Sequence, residues 1–167
     1  MMIHKDFTTL NLDELKLVLQ WRNHKNISQF MLNKSIEFKE HLNFIERLKK
    51  DKNKKYFLLY KAKEAFGVIY FTKITKTSCE FGLYAKPNLK GVGQILMDEI
   101  KKYAFENLRV KNLKACVFKQ NQRALNLYLK NNFCIYNEDE NMFYLELTGG
   151  GIELFCARIL IFKRFAA

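Results

Sequence analysis

The chain has 167 residues, 49% of them hydrophobic, with one Pro and seven Gly, a size and texture that fit one globular domain and exclude a disordered or low-complexity chain. Its 29 basic against 17 acidic residues give a net charge of +12, which fits nucleic acid, an anionic membrane surface or a polyanionic small ligand and alone decides little; the lysines are scattered in ones and twos, as on a solvated surface, so nucleic acid is not expected. No window approaches the roughly 20 apolar residues of a spanning helix and the N-terminus has no apolar signal core, so no membrane insertion and a cytoplasmic location are expected.

In chain order, residues 3–8 form a first strand. The run LDELKLVLQWRNH repeats apolar residues at a helical period behind Asn11, a candidate cap. A second helix is expected over SIEFKEHLNFIERLKKD, capped by Ser35, with Phe38, Leu42, Ile45 and Leu48 on one stripe. KYFLLYKA, GVIYFTKIT and SCEFGLYA then read as an antiparallel meander. QILMDEIKKYAFENL is an amphipathic helix, LKACVF a fifth strand, NQRALNLYLKNN a fourth helix, and FCIYNE with MFYLEL a closing hairpin. The order βααβββαβαββ predicts an α+β domain, a seven-stranded mixed sheet flanked by four helices. The domain is complete by residue 147; the tail 148–167, TGGGIELFCARILIFKRFAA, reads either as a vector-derived scar or as a native extension that packs on the surface or on another chain.

Cys79, Cys116, Cys134 and Cys156 lie in apolar runs without CxxC spacing, which points to reduced thiols, and His4, His24 and His41 lack ligand spacing, so no metal is expected. Chemistry concentrates at KPNLKGVGQILM, where Gly91 and Gly93 stand between a strand and a helix. Bare backbone there lets a phosphate approach main-chain N–H groups at the positive end of a helix dipole. The stretch lacks the third glycine of a dinucleotide fingerprint and the Lys-Ser/Thr of a P-loop, so the ligand stays unnamed at this point.

The whole arrangement, residues 3–147, resembles the GNAT superfamily of acetyl-CoA-dependent N-acetyltransferases. Its pyrophosphate motif corresponds to Asn88, Leu89, Lys90, Gly91, Val92 and Gly93, with an atypical first position, and NQRALNLYLKNNF resembles a second family pattern, with Asn132 where glycine is common. The resemblance implies acetyl-CoA as cosubstrate, with Leu89, Lys90, Gly91, Val92, Gly93 and Gln94 at its phosphates and Asn121 on the pantetheine arm. Arg123 and Ala124 belong to the same cofactor wall. Tyr128 is implied as the acid that protonates the leaving thiolate. Glu80, on a strand whose alternation sets Glu80, Gly82 and Tyr84 on one face, is the candidate base, acting through water. Backbone of Leu83, Tyr84 and Ala85 would pair with the pantetheine and polarise the thioester carbonyl.

The helices before the sheet are the expected acceptor half. Together with the sheet runs, QWRNHKNISQFM closely resembles the N-acetyltransferase family of the bacterial pseudaminic acid pathway, which serves flagellin glycosylation by acetylating the 4-amine of UDP-4-amino-4,6-dideoxy-N-acetyl-β-L-altrosamine. The resemblance implies a nucleotide-sugar acceptor, with Arg22, Asn23 and His24 for phosphate or sugar hydroxyls and Trp21, Phe30 and Met31 as apolar surface. Such a protein would be a monomer or a homodimer. Two rival readings are an acetyltransferase acting on protein N-termini and a non-catalytic basic adaptor; an acid and a base together at Tyr128 and Glu80 speak against the adaptor.

Overall fold

The computed structural model describes residues 1–149. The chain forms one seven-stranded sheet in the order β1-β2-β3-β4-β5-β7-β6. Its strands are β1 (Met2–Asp6), β2 (Lys55–Lys61), β3 (Glu64–Thr72), β4 (Ser78–Ala85), β5 (Asn112–Phe118), β6 (Cys134–Glu138) and β7 (Met142–Thr148). All neighbours are antiparallel except β4 and β5. The helices are α1 (Leu12–Asn23), a one-turn α2 (Lys25–Ser28), α3 (Phe38–Leu48), α4 (Gly93–Lys102) and α5 (Gln122–Lys130). The expected strands and the four long helices are therefore all present, with α2 added. Thr148 closes β7, one residue into the segment set apart as a tail; residues 150–167, including Cys156, lie outside the described residues.

Sheet alternation sorts the core into two layers. On one face Phe57, Ile69, Phe71 and Phe81 pack against Leu96, Met97 and Ile100 of α4 and Leu125 and Tyr128 of α5. On the other, Leu58, Val68 and Tyr84 meet Val18 and Trp21 of α1 and Ile45 and Leu48 of α3. Leu96, Met97 and Ile100 are wholly buried, each contributing about 1.5–3 kcal/mol by removal from water. Gly67 allows the close approach of α4: a Cβ there would lie 2.7 Å from a Leu96 methyl.

Asn11 caps α1 as expected, in a capping box with Glu14. Ser35 does not cap α3, which starts at Phe38 after Glu37 with no side-chain cap. The reason is tertiary: Asn23 grips the backbone of Ile36 on both sides, donating from Nδ2 to its carbonyl at 2.8 Å and accepting its N–H at 3.0 Å. That clasp holds Ile36 out of the helix and ties α1 to α3. The third expected helix, QILMDEIKKYAFENL, is also modified, since its final turn, Tyr103–Asn107, is π-helical.

Candidate active site

The parallel pairing of β4 with β5 covers only Ser78 to Glu80 against Asn112 to Lys114. Beyond those residues β4 keeps β3 on one edge and β5 keeps β7, but the two facing edges have no strand partner. Backbone groups on those edges must find another partner. The opening is continuous with a cleft of about 1130 Å³, lined along β4 from Glu80 to Ala85 and along β5 by Cys116, Val117 and Phe118. Leu83, Tyr84 and Ala85 thus stand where an extended ligand could add to the sheet, in the manner of a strand.

One end of this cleft has groups that can meet anions. Val92 precedes α4 with no side-chain cap, so the first N–H groups of the helix are free of a side-chain partner. The loop before it uses two left-handed residues, Asn88 at φ 65° and Gly91 at φ +80°; asparagine tolerates this conformation and glycine adopts it without strain. Leu89, Lys90, Val92 and Gly93 line the cleft, and so do Lys86 and Arg123. Gly91 and Gln94 do not. Gly91 supplies the turn, while Gln94 donates to Asp98 and Asn131, away from the ligand side.

The middle of the cleft carries the titratable groups. Asn121 is the N-cap of α5, its Oδ1 accepting the Ala124 N–H at 3.2 Å; both residues line the cleft, and Nδ2 is the Asn121 atom left to a ligand. Tyr128, one helical turn beyond Ala124, also lines it. Its ring is 6% exposed and packs edge-on against Phe81 at 5.3 Å between centroids. Burial, then the neighbouring Tyr70 and Cys116, push the Tyr128 phenol well above its ordinary value, so it stays protonated and able to donate. Glu80 lies at the root of the opening, its Oε1 2.8 Å from Lys73 Nζ. Its place on a buried strand is accommodated by that partner, which is itself largely exposed. Cys116 is a free thiol on the facing strand, exposed at the surface; partial desolvation of its sulfur and then Glu80 raise its titration, which disfavours the nucleophilic thiolate.

The expected acceptor residues divide. Arg22, Phe30 and Met31 line the cleft. Trp21 is 4% exposed within the α1/α3 layer of the core. Asn23 is the clasp on Ile36, and His24 caps α2 by accepting the Asn26 N–H on Nδ1 at 3.2 Å; none of these three reaches the cleft wall. Sequence reasoning missed Tyr70 and His41. Tyr70 crosses the face of β4 at Gly82, where a Cβ would fall 2.0 Å from its ring. Its ring stacks on Tyr56 at 4.8 Å and 6°. The signal available was a glycine in the middle of an apolar strand, which marks a close approach. Among the described residues no group of three His, Cys, Asp or Glu is placed to hold a metal ion, and no helix is long and apolar enough to cross a membrane.

Residues 18–133 match the acetyltransferase (GNAT) family. The curated acetyltransferase PseH of Campylobacter jejuni subsp. jejuni serotype O:23/36 is 58% identical over 141 residues, which cover 84% of this chain and 90% of that protein. The crystal structure of Campylobacter jejuni N-acetyltransferase PseH in complex with acetyl coenzyme A superposes with a TM-score of 0.79 at 51% identity, covering 90% of this chain and 100% of that one. The spermidine N-acetyltransferase of Vibrio cholerae, solved with CoA and spermine, shares the fold at a TM-score of 0.76 and 18% identity over 88% of this chain and 95% of that one.

Proposed function

The chain belongs to the acetyltransferase (GNAT) family and is an acetyl-CoA-dependent N-acetyltransferase, and on that premise we propose that it acetylates the 4-amino group of UDP-4-amino-4,6-dideoxy-N-acetyl-β-L-altrosamine in pseudaminic acid biosynthesis. The acceptor rests on the 58% identity to acetyltransferase PseH. The mechanism rests on one observation: the opening between β4 and β5 has Glu80 at its root on β4 and Tyr128 across it on α5, both on the wall of one cleft.

Acetyl-CoA brings an activated acyl group as a thioester. The uncapped start of α4, with Lys86, Lys90 and Arg123 beside it, suits the phosphates of the cosubstrate. Asn121 Nδ2 and the free edge of β4 suit the amides of its pantetheine arm. Glu80 belongs to the sheet face turned toward α1 and α3, so it meets the acceptor from that side. It exchanges Lys73 for the incoming ammonium and takes a proton through water, leaving a neutral amine to attack. Backbone N–H groups on the unpaired β4 edge hold the charge that builds on the carbonyl oxygen. Tyr128, kept neutral by its surroundings, gives its proton to the departing thiolate as the C–S bond breaks, and the proton that the acylated nitrogen sheds restores the phenol. The suppressed thiolate of Cys116 favours this direct transfer over an acyl-enzyme.

Thiol release with the UDP-amino sugar as acceptor tests the assignment. Tyr128→Phe should lower kcat by about 10²-fold or more, the usual span for a lost general acid, with the Kd for CoA unchanged. Glu80→Gln should lower turnover chiefly below pH 8, where the amine needs help to lose its proton. A Tyr128→Phe enzyme of full kcat would remove the acid role.

A further inference from the structure

The opening between β4 and β5 narrows to a vertex where the two strands part after Glu80 and Lys114. On the α4/α5 side Phe81, Val117 and Tyr128 close that vertex, and all three line the cleft. Strand alternation turns Gly82 and Cys116 to the other side. Gly82 has no side chain to close it, and Tyr70 does so instead. Tyr70 pairs with Gly82 across β3 and β4, and its ring reaches sideways over the Gly82 backbone. A Cβ at Gly82 would fall 2.0 Å from the ring carbon Cζ and 2.1 Å from the hydroxyl oxygen. Because the far end of the ring covers Gly82, the hydroxyl ends beside the β4 edge that faces the opening. Its electrostatic neighbours agree: burial, then Cys116 on the opposite strand, push the Tyr70 phenol up to about 12, and Tyr70 is the first neighbour after burial to raise Tyr128.

The ring is braced from behind. Tyr56 stacks on it at 4.8 Å and 6°, and Phe44 of α3 meets Tyr56 edge-on at 5.1 Å. Behind the brace lies a side chamber of about 320 Å³ that Arg22, His41, Tyr56 and Tyr84 help to line. Among the described residues, Arg22 Nη1 and His41 Nε2 are the buried side-chain atoms without a hydrogen-bond partner. Tyr70 lines both the chamber and the main cleft, so its ring forms part of the partition between them. An acyl group whose carbonyl meets the free N–H groups of β4 lies against that partition. An acetyl group ends in one methyl. Every added methylene must displace either the braced ring or a buried side chain of the α4/α5 layer, and close packing resists such insertion.

We propose that Tyr70 sets the length of the acyl group: its ring, laid over Gly82, walls the acyl pocket so that acetyl-CoA is accepted and longer acyl-CoA donors are rejected. The inference rests on the reading that transfer takes place at the opening between β4 and β5, and it makes Tyr70 a specificity-determining residue for the donor.

The test compares kcat/KM for propionyl-CoA and acetyl-CoA by thiol release, at one concentration of the UDP-4-amino sugar. A change in acceptor binding affects both donors alike and cancels in the ratio. The unaltered enzyme should prefer acetyl-CoA by about tenfold to a hundredfold, the range that one methylene commands in a closed apolar pocket. Tyr70→Ala should bring the two donors to within about twofold of parity, whereas Tyr70→Phe, which keeps the ring, should hold the preference within about threefold of the unaltered value. Should Tyr70→Ala melt early, Tyr70→Leu, too short to cross Gly82, must give the same shift. Calorimetric Kd values need no acceptor: the unaltered enzyme should bind butyryl-CoA about tenfold or more weakly than acetyl-CoA, and Tyr70→Ala should bind them about equally. An unaltered enzyme that takes the donors equally, or a Tyr70→Ala enzyme that keeps the full preference, overturns the inference. Parity in Tyr70→Phe also overturns it, because the hydroxyl and not the ring would then be the wall. If the sugar stays untouched while the Kd pattern holds, the acceptor reading falls and the acyl wall stands.

Discussion

At the scale of single residues, the site depends on side chains whose protonation is set by where the fold puts them. Tyr128 is the clearest case: burial lifts its phenol so far that it does not lose its proton in the working range. The activity of the unaltered enzyme should therefore show no alkaline decline from this group up to about pH 10, the ordinary tyrosine value. A kcat profile that falls by half near pH 8 and flattens in Tyr128→Phe would contradict the assigned environment. Glu80 and Tyr128 became candidates through the family resemblance, while alternation and helical spacing gave only the face on which each stands. Asn23 and His24 could not be judged that way, since their partners, the backbone of Ile36 and Asn26, depend on how the α1–α3 connection folds. His41 was hidden for the opposite reason: it has no spacing motif, and only three-dimensional packing reveals its unpartnered nitrogen.

At the scale of elements, the periodicities of 2 and 3.6 were enough to find every strand and long helix, because each has one apolar face. What they did not reveal was how elements end and open. The late start of α3, the π-helical turn after α4 and the parting of β4 from β5 are products of neighbours distant in sequence. Gly82 shows how such a contact shapes the site. Tyr70 lies across its backbone, so Gly82→Ala must displace that ring from the boundary between cleft and side chamber. The variant should raise the acceptor KM at least tenfold with the acetyl-CoA KM little changed; equal effects on both would show general loss of the fold instead. Glu14 illustrates the structural side. It closes the capping box of α1 and accepts from Lys5 at 2.7 Å and from the Tyr60 hydroxyl at 2.7 Å. Burial works to raise its carboxyl, but the bonds to Lys5, Tyr60 and Asn11 outweigh it and hold the pKa below the ordinary value. The stabilisation is thus present above the unfolded value of 4.5 and lost as pH falls through the lower folded one. Chemical denaturation should find Glu14→Ala about 1–2 kcal/mol less stable at pH 7, with the gap closing in acid.

At the scale of the whole molecule, the sheet separates two jobs. The α4/α5 face carries the glycine loop before α4, Asn121 and Tyr128, while the α1/α3 face carries Arg22, His41 and the tyrosine chamber. The opening between β4 and β5 lies between them, and in the proposed mechanism it is there that the acyl group meets the amine. A surface of net charge +12 accords with two polyanionic substrates. The most direct measurement is acetyl transfer with both acceptors present at once, the UDP-4-amino sugar and an N-terminal alanine peptide, followed by product identification. The account predicts acetylation of the sugar at its 4-amine and none of the peptide; acetylated peptide with untouched sugar would contradict it.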